Sequence, residues 1–405
     1  MGPPSSWILR GARVARGPDE AATLDLEIGE GKILALRAPA ASVLPRKARV
    51  LELRGHLVLP GLINAHDHLE FNLFPRLGRG PYPNAQAWAR EIYRPEESPV
   101  KEHLRIPQAT RLLWGGLKNL LSGVTTVCHH NSCQAPILQQ NFPVRVVKRF
   151  GWAHSLQFSP DLASRFHQTA PRWPFILHLG EATDGDGKRE IFRLDEMGAL
   201  NHRTVLVHAV ALDGRGLRLA QKRGASLIWC PSSNLFLLGR TLGREVLQSA
   251  MTVALGTDSA LSGKGDLLDE LRLARRLGGL SNRDLYRMVT EQAARLLRLE
   301  NGEGTLSKGG VADLVVVQDH GESPAAALFR LGRLGVEMVM VGGQVKLVSP
   351  SLSRQLPPLL RRRFCRLVIQ QRRHALVDAD VPKLYRQARR ALGREIRLAG
   401  KRVCP

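Results

Sequence analysis

Val58-Leu59-Pro60-Gly61-Leu62-Ile63-Asn64-Ala65-His66-Asp67-His68 is an apolar run that stops on two imidazoles one residue apart. From Leu57 to Ala65 the run is continuous rather than alternating, the pattern of a strand buried on both faces in a parallel sheet. Side chains two apart on a strand share a face, so His66 and His68 can reach one ion together. Similar short runs recur at Val124–Cys128, Val144–Val147, Phe175–Leu177, Val205–Val207, Ser226–Trp229 and Thr252–Leu255, with helix-like stretches between them. Amphipathic spacing over Asp266–Leu277 and the capped start Ser281-Asn282-Arg283-Asp284 are typical of those helices. Repeated strand–helix units across residues 57–304 predict an α/β fold, a TIM-like (β/α)8 barrel, in preference to an open sheet. Seven strands are legible. The stretch from Asn131 to Phe175 is short for the remaining units, which predicts a distorted barrel trimmed there.

The residues that close these runs carry the chemistry. The first run ends in His66-Asp67-His68, a later one in His178-Leu179-Gly180-Glu181, the next in His208, and the last in Asp258. In a barrel the carboxyl ends of all strands converge on one face, where active sites sit, so residues distant in sequence meet. A third His and a carboxylate beside the His pair complete a nitrogen/oxygen set suited to one divalent ion, Zn²⁺ or Fe²⁺. A lone His-x-His would be a weak signal. Four such groups, each closing a separate buried strand in order, make a strong one.

The two ends of the chain read differently. Leu24, Leu26 and Ile28 alternate with Asp25 and Glu27, and Gly29-Glu30-Gly31-Lys32 supplies a turn before Ile33–Leu36. Far downstream, Ala312–Val317 precedes Val339-Met340-Val341-Gly342-Gly343-Gln344-Val345-Lys346-Leu347, a hairpin signal. We therefore expect a small composite β-sandwich from residues 1–56 and 305–350. Residues 351–405 are expected to form a basic, largely helical extension. From Arg354 onward there are 15 Lys and Arg against 3 Asp and Glu, within a chain whose formal net charge is +23. Such charge attracts anions in general. With few aromatics and no recognisable motif, nucleic-acid readout is not expected. No apolar stretch reaches the length of a membrane span, and the start of the chain lacks the apolar core of a secretory signal. Five scattered cysteines suggest no disulfide framework, so the cytoplasm is the expected compartment. A small-molecule substrate is expected, and a homo-oligomer is left open.

The segment Val58–His68 resembles the signature that opens the barrel of amidohydrolase-superfamily enzymes. His178-x-x-Glu181, His208, Cys230-Pro231-Ser232-Ser233-Asn234 and Gly256-Thr257-Asp258-Ser259 resemble the branch that includes chlorohydrolases and cytosine/adenosine deaminases. Gly310-Val311-Ala312-Asp313-Leu314 resembles the return into the composite sandwich, so the likeness spans roughly residues 5–348. It implies a distorted (β/α)8 barrel, one catalytic divalent metal, and hydrolytic deamination, dechlorination or related C–N cleavage of a small ring. Carried over by position, His66, His68, His178 and Asp258 would be ligands. Asp258 could also take a proton from water, Glu181 could shuttle it to the ring nitrogen or leaving amine, and His208 could hold the water or ligate directly.

Further candidates are less sharply defined. Two-metal relatives bridge their ions with a carboxylated lysine, for which Lys148 is the one nearby candidate. One of His129 and His130 is expected to face the substrate while the other packs. His154 is a candidate pocket residue, and Ser232 and Asn234 could shape the loop below the pocket. Cys128 and Cys133 flank this pair and raise the thought of a thiolate site, although their spacing matches no common zinc pattern. Arg76, Arg79 and Arg94 could hold an anionic group or simply be surface arginines. Two other functions compete with deamination: cleavage of an amide on the same metal, and a catalytically weak barrel that binds through its basic tail. Glu181 and His208 argue against the second, because binding alone needs no proton shuttle.

Overall fold

The computed structural model describes residues 6–39, 48–132, 134–139, 141–370 and 373–405. Eight parallel strands line a barrel: β1 (Leu62–Asp67), β2 (Val124–His129), β3 (Arg145–Val146), β4 (Gly151–Trp152), β5 (Phe175–Leu179), β6 (Thr204–His208), β7 (Ser226–Trp229) and β8 (Val253–Leu255). They pair as β1-β2-β3 and as β4-β5-β6-β7-β8. Ile63, Ile176, Val205, Val207, Ile228 and Ala254 point inward and fill the barrel, while Phe175, Leu177, Leu206, Leu227, Trp229, Val253 and Leu255 pack outward on the helices. This two-sided burial is why the strands read as unbroken apolar runs.

The trimming expected before residue 175 takes a specific form. All eight strands are present, but β3 and β4 have two residues each and only residues 147–150 separate them. No helix fits in that space, and β3 and β4 share no ladder among the described residues. A cavity of about 560 Å³ remains on the flank, lined by Phe142, Val146, Leu299 and the exposed Lys148 and Arg149.

The run Leu57–Ala65, expected as one strand, is two. His56–Pro60 pairs antiparallel with Leu314–Gln318 in a separate mixed sheet, and the chain enters the barrel only at Leu62. Gly61 is the crossing point. A Cβ there would come within 2.1 Å of Thr125 Oγ1, so no other residue fits without displacing β2.

Among the described residues the mixed sheet has twelve strands, drawn from both ends of the chain. Its alternation sorts the core: Val58, Leu314, Val316, Met338 and Met340 face a layer closed by Trp7, Leu26 and Ile33, while Leu57, Leu59, Val315, Val317 and Val339 face the barrel. The tail departs from expectation. Residues 351–405 are not largely helical. Cys365–Ile369, Arg373–Val377, Ile396–Leu398 and Lys401–Cys404 extend the same sheet, and among the described residues of the tail only Val381–Leu392 forms a long helix. That helix lies against Gln108–Leu121, with Thr110 Oγ1 donating to Gln387 Oε1 at 2.7 Å. The arginines that suggested a solvated helix flank short apolar segments that pair as two hairpins, Cys365–Ile369 with Arg373–Val377 and Ile396–Leu398 with Lys401–Cys404. Among the described residues no helix is long and apolar enough to cross a membrane.

Candidate metal centre

At the carboxyl ends of the strands, His66, His68, His178, His208, Glu181 and Asp258 come together. Their ligand atoms form three overlapping triads, each within 4.8 Å: His66/His178/His208, His66/His68/Asp258 and Glu181/His208/Asp258. Strand alternation delivers some of these side chains. His178 follows Ile176 on the inner face of β5, whereas on β1 Ile63 and Ala65 already face the interior, and a register break between Asn64 and Asp67 brings His66 and His68 to the site while Asp67 reaches Lys118. Alternation alone would turn His208 outward, because Val207 already faces the barrel interior. His208 instead adopts φ 70°, and Ala209 and Asp258 adopt φ 52° and 53°. Left-handed backbone at non-glycine residues costs on the order of 1–3 kcal/mol each, and here it turns the side chains into the site.

The hydrogen bonds assign the tautomers. His178 Nδ1 donates to the His154 carbonyl at 2.8 Å. His130 Nε2 donates to the Ala153 carbonyl at 3.0 Å, so its Nδ1 is an acceptor for His66 Nδ1, 3.3 Å away. Asn131 donates to Glu70 at 2.6 Å, which turns its oxygen toward His68 Nδ1 at 3.2 Å. His66, His68 and His178 are thus each held through Nδ1, the arrangement that supports metal-bound histidines, and present a lone pair on Nε2. The Nε2 atoms of His66 and His178 are 3.2 Å apart, and Asp258 Oδ1 lies 3.7 Å from His66 Nε2 and 3.5 Å from His68 Nε2. Two lone pairs facing each other beside a carboxylate repel unless a cation sits among them. The residues present therefore fit a divalent ion.

Burial favours the neutral imidazoles that ligation requires. It lowers His66 to about 4 and drives His130 and His178 well below the usual histidine range. For Asp258, burial alone would raise the pKa, but the surrounding imidazoles outweigh it and hold the carboxyl well below the usual range. Ser233 Oγ and Ser262 Oγ donate to Asp258 Oδ2 at 2.6 and 2.9 Å. Glu181 is pushed up to about 7, chiefly by burial, and its Oε1 lies 3.5 Å from His208 Nε2. His208 Nδ1 faces Asn234 Oδ1 at 2.8 Å, which aims Nε2 at Glu181 and Asp258.

Other candidates fall elsewhere. His129 and His130 both stand behind the ligands, His129 near Glu70 and His130 against His66, and His130 has both nitrogens engaged within the protein. Neither arrangement leaves one of the pair facing a substrate. The half-buried His154 has its ring 4.7 Å from that of His178, on the rim of the cluster. Ser232 turns away: its N–H and hydroxyl both donate to the buried Glu270, and its neighbour Ser233 is the one that reaches Asp258. Lys148 is exposed on the flank cavity, apart from the ligand triads. Arg76 stacks on Phe236, with its guanidinium carbon 4.4 Å from the ring centre, and Arg79 and Arg94 are exposed. Cys128 is a buried free thiol, and Cys133 lies outside the described residues. Sequence reading assigned no role to Asn131, Ser262 and Lys118, which stand at no motif position, or to Ser233, which lies within the Cys230–Asn234 motif but was passed over for its neighbour Ser232.

A family model described as the amidohydrolase family matches residues 175–346. The chain is 29% identical over 334 residues to a 5-methylthioadenosine/S-adenosylhomocysteine deaminase of Syntrophobacter fumaroxidans, covering 67% of this chain and 74% of that protein. It is 25% identical over 388 residues to the deaminase of the same name from Pyrococcus furiosus, covering 78% and 87%. Among solved structures, a zinc-bound adenosine deaminase from Xanthomonas campestris superposes with TM-score 0.68 at 19% identity, over 96% of this chain and 98% of that one. A zinc complex of atrazine chlorohydrolase from Arthrobacter aurescens gives TM-score 0.68 at 20% identity, over 95% and 100%. At that level of identity the structural likeness speaks for the fold: the distorted barrel with a mixed sheet built from the chain ends.

Proposed function

We propose that the chain is a member of the amidohydrolase superfamily, a metal-dependent hydrolase that deaminates a small heterocycle, with one divalent ion, Zn²⁺ by preference, held by His66, His68, His178 and Asp258. A bound ion would supply Lewis acidity, which brings the pKa of a water molecule down to about 7 in favourable sites. The rest is the work of side chains. Asp258 accepts the proton of the attacking water. His208, oriented by Asn234, offers Nε2 to the oxygen or to the group it attacks. Glu181 relays one proton of the water to the ring nitrogen, and the proton left on the attacking oxygen follows to the departing amine as the carbonyl forms. In balance, an amidine carbon bearing NH₂ takes up water and leaves as a carbonyl plus ammonia.

The observation that carries this reading is the third triad: Glu181, His208 and Asp258 place a proton shuttle within 4.8 Å of a ligand carboxylate. The relatives' names favour deamination over the amide-cleavage and binding-only alternatives. The unpaired thiols Cys128, Cys230, Cys365 and Cys404 support a reducing, cytoplasmic setting. Ammonia release from 5-methylthioadenosine, S-adenosylhomocysteine, adenosine, free nucleobases, pterins and triazines tests the proposal. Zinc-loaded protein that releases ammonia from none of them would overturn it.

A further inference from the structure

The barrel must close between β8 and β1, and this seam separates Asp258 from the His66/His68 pair. Among the described residues no ladder joins the two strands. The backbone contributes two hydrogen bonds there, from Thr257 N and Asp258 N to the His66 carbonyl, at 2.9 and 3.1 Å. Gly256 allows the approach, since a Cβ on it would lie 2.7 Å from His66 Cβ.

Behind the seam lies a lysine that the proposed chemistry does not use. Lys118, on the helix Gln108–Leu121, is 2% exposed. Its ammonium donates to Asn72 Oδ1 at 2.7 Å, Thr257 Oγ1 at 3.1 Å and Asp67 Oδ2 at 3.2 Å. An ammonium has three donors, and all three are used. Asp67 also accepts from Asn119 at 2.8 Å, Asn64 at 3.2 Å and Asn72 at 2.8 Å. Asn64 Nδ2 reaches Thr257 Oγ1 at 2.9 Å, and its Oδ1 accepts from Thr257 N at 3.2 Å.

Two of these partners have a telling position in the sequence. Asp67 is the residue between His66 and His68, and Thr257 immediately precedes Asp258. We infer that Lys118 is a positioning residue for the metal centre: with Asp67 and Thr257 it forms a side-chain clasp that replaces the missing β8–β1 ladder and sets the distance between the His pair and Asp258. This rests on the ligand set proposed above. Lys118 does not touch that set directly. It acts through the residues flanking it.

The test is release of zinc from the loaded protein to a chromophoric chelator, read alongside thermal melting of the metal-free protein. Partners one step removed from ligands typically contribute 10–100-fold in metal affinity. Lys118→Met should release zinc about 10–100-fold faster than the parent. Thr257→Val keeps the side-chain shape and removes one acceptor. It should accelerate release by roughly tenfold, and it decides the matter if Lys118→Met does not fold. Arg145→Met is the comparator. It breaks the Arg145–Asp313 pair, 3.1 Å apart in the mixed sheet's contact with the barrel and away from the ligands. It should lower the melting temperature while leaving zinc release within about threefold of the parent. The inference fails if Thr257→Val and every folded Lys118 variant release zinc within about threefold of the parent. It fails equally if Arg145→Met accelerates release as much as they do, since general destabilisation would then suffice. A parent that binds no zinc would overturn the ligand assignment itself, a separate result.

Discussion

His66 and His178, 112 residues apart in the chain, present their Nε2 atoms to each other at 3.2 Å with both Nδ1 protons directed elsewhere. A cation resolves that repulsion. Purified protein reconstituted with Zn²⁺ or Fe²⁺ should therefore carry about one equivalent per chain, and His66→Ala/His68→Ala should carry almost none. Elemental analysis checks this. Because burial holds His66 at about 4, protons compete with the metal only in acid, so metal should remain bound at pH 6 and be lost as the pH falls toward 4. A reconstituted parent without bound ion would contradict the ligand set.

Glu181 separates a catalyst from a scaffold. Glu181→Gln should keep its metal and lose roughly 10²–10⁴-fold in turnover, or about 3–5 kcal/mol of barrier. Burial raises the Glu181 carboxyl to about 7, so the ionised form that accepts a proton disappears as pH drops below that value. The parent's kcat/KM should fall on that acid side, and the variant's profile should lack this limb. Turnover by Glu181→Gln within threefold of the parent would end the assignment.

Glu270 gives a stability signal independent of turnover. Its carboxylate is buried, accepts from Ser232 N at 3.0 Å, and is raised by burial from 4.5 to about 8. Between those values the folded protein keeps a proton that the unfolded chain has released. Stability therefore falls as pH rises through this window and levels off above it. The full effect is at most about 5 kcal/mol. Glu270→Gln should match the parent's melting temperature near pH 5 and exceed it by several degrees near pH 8.5. Calorimetry at the two pH values checks the sign.

Removing the tail should be more damaging than its charge suggests. Leu367, Ile369, Val377, Val381, Leu384, Ala388, Ile396, Leu398 and Val403 are all buried against the main core. Most are large enough that burial contributes roughly 1.5–3 kcal/mol each, so together they rival the typical stability of a whole domain, roughly 5–15 kcal/mol. Arg333, which pairs with Asp266, also donates to the Leu398 carbonyl at 3.0 Å. Truncation at Pro350 should yield aggregated protein without a cooperative melt. A soluble, cooperatively melting, zinc-binding product would show that the tail is dispensable.

Much of the barrel and of the candidate metal centre was legible because each signal is local. A strand buried on both faces must be apolar for several residues, and a strand end facing the site must stop on a side chain that does chemistry. That reasoning locates His66, His68, His178 and Asp258 and seven strands. It misses the eighth, because Gly151–Trp152 is too short to show a pattern. The tail was misread for a related reason. Cys365–Ile369 and Lys401–Cys404 each pair first with a neighbouring strand in a short hairpin and then with each other across more than thirty residues, and arginines interrupt the apolar alternation that would have marked them.

By itself, then, the sequence determined the fold class, the order of the strands and the residues that close them, since burial and periodicity are written within a few residues. Only the tertiary structure decided which tautomer each imidazole adopts, that the left-handed backbone of His208 turns it inward, that Ser233 rather than Ser232 reaches Asp258, and that Lys118 stands behind the seam. These depend on hydrogen bonds between side chains brought together by barrel closure. A directional contact of that kind leaves no periodic trace in the chain.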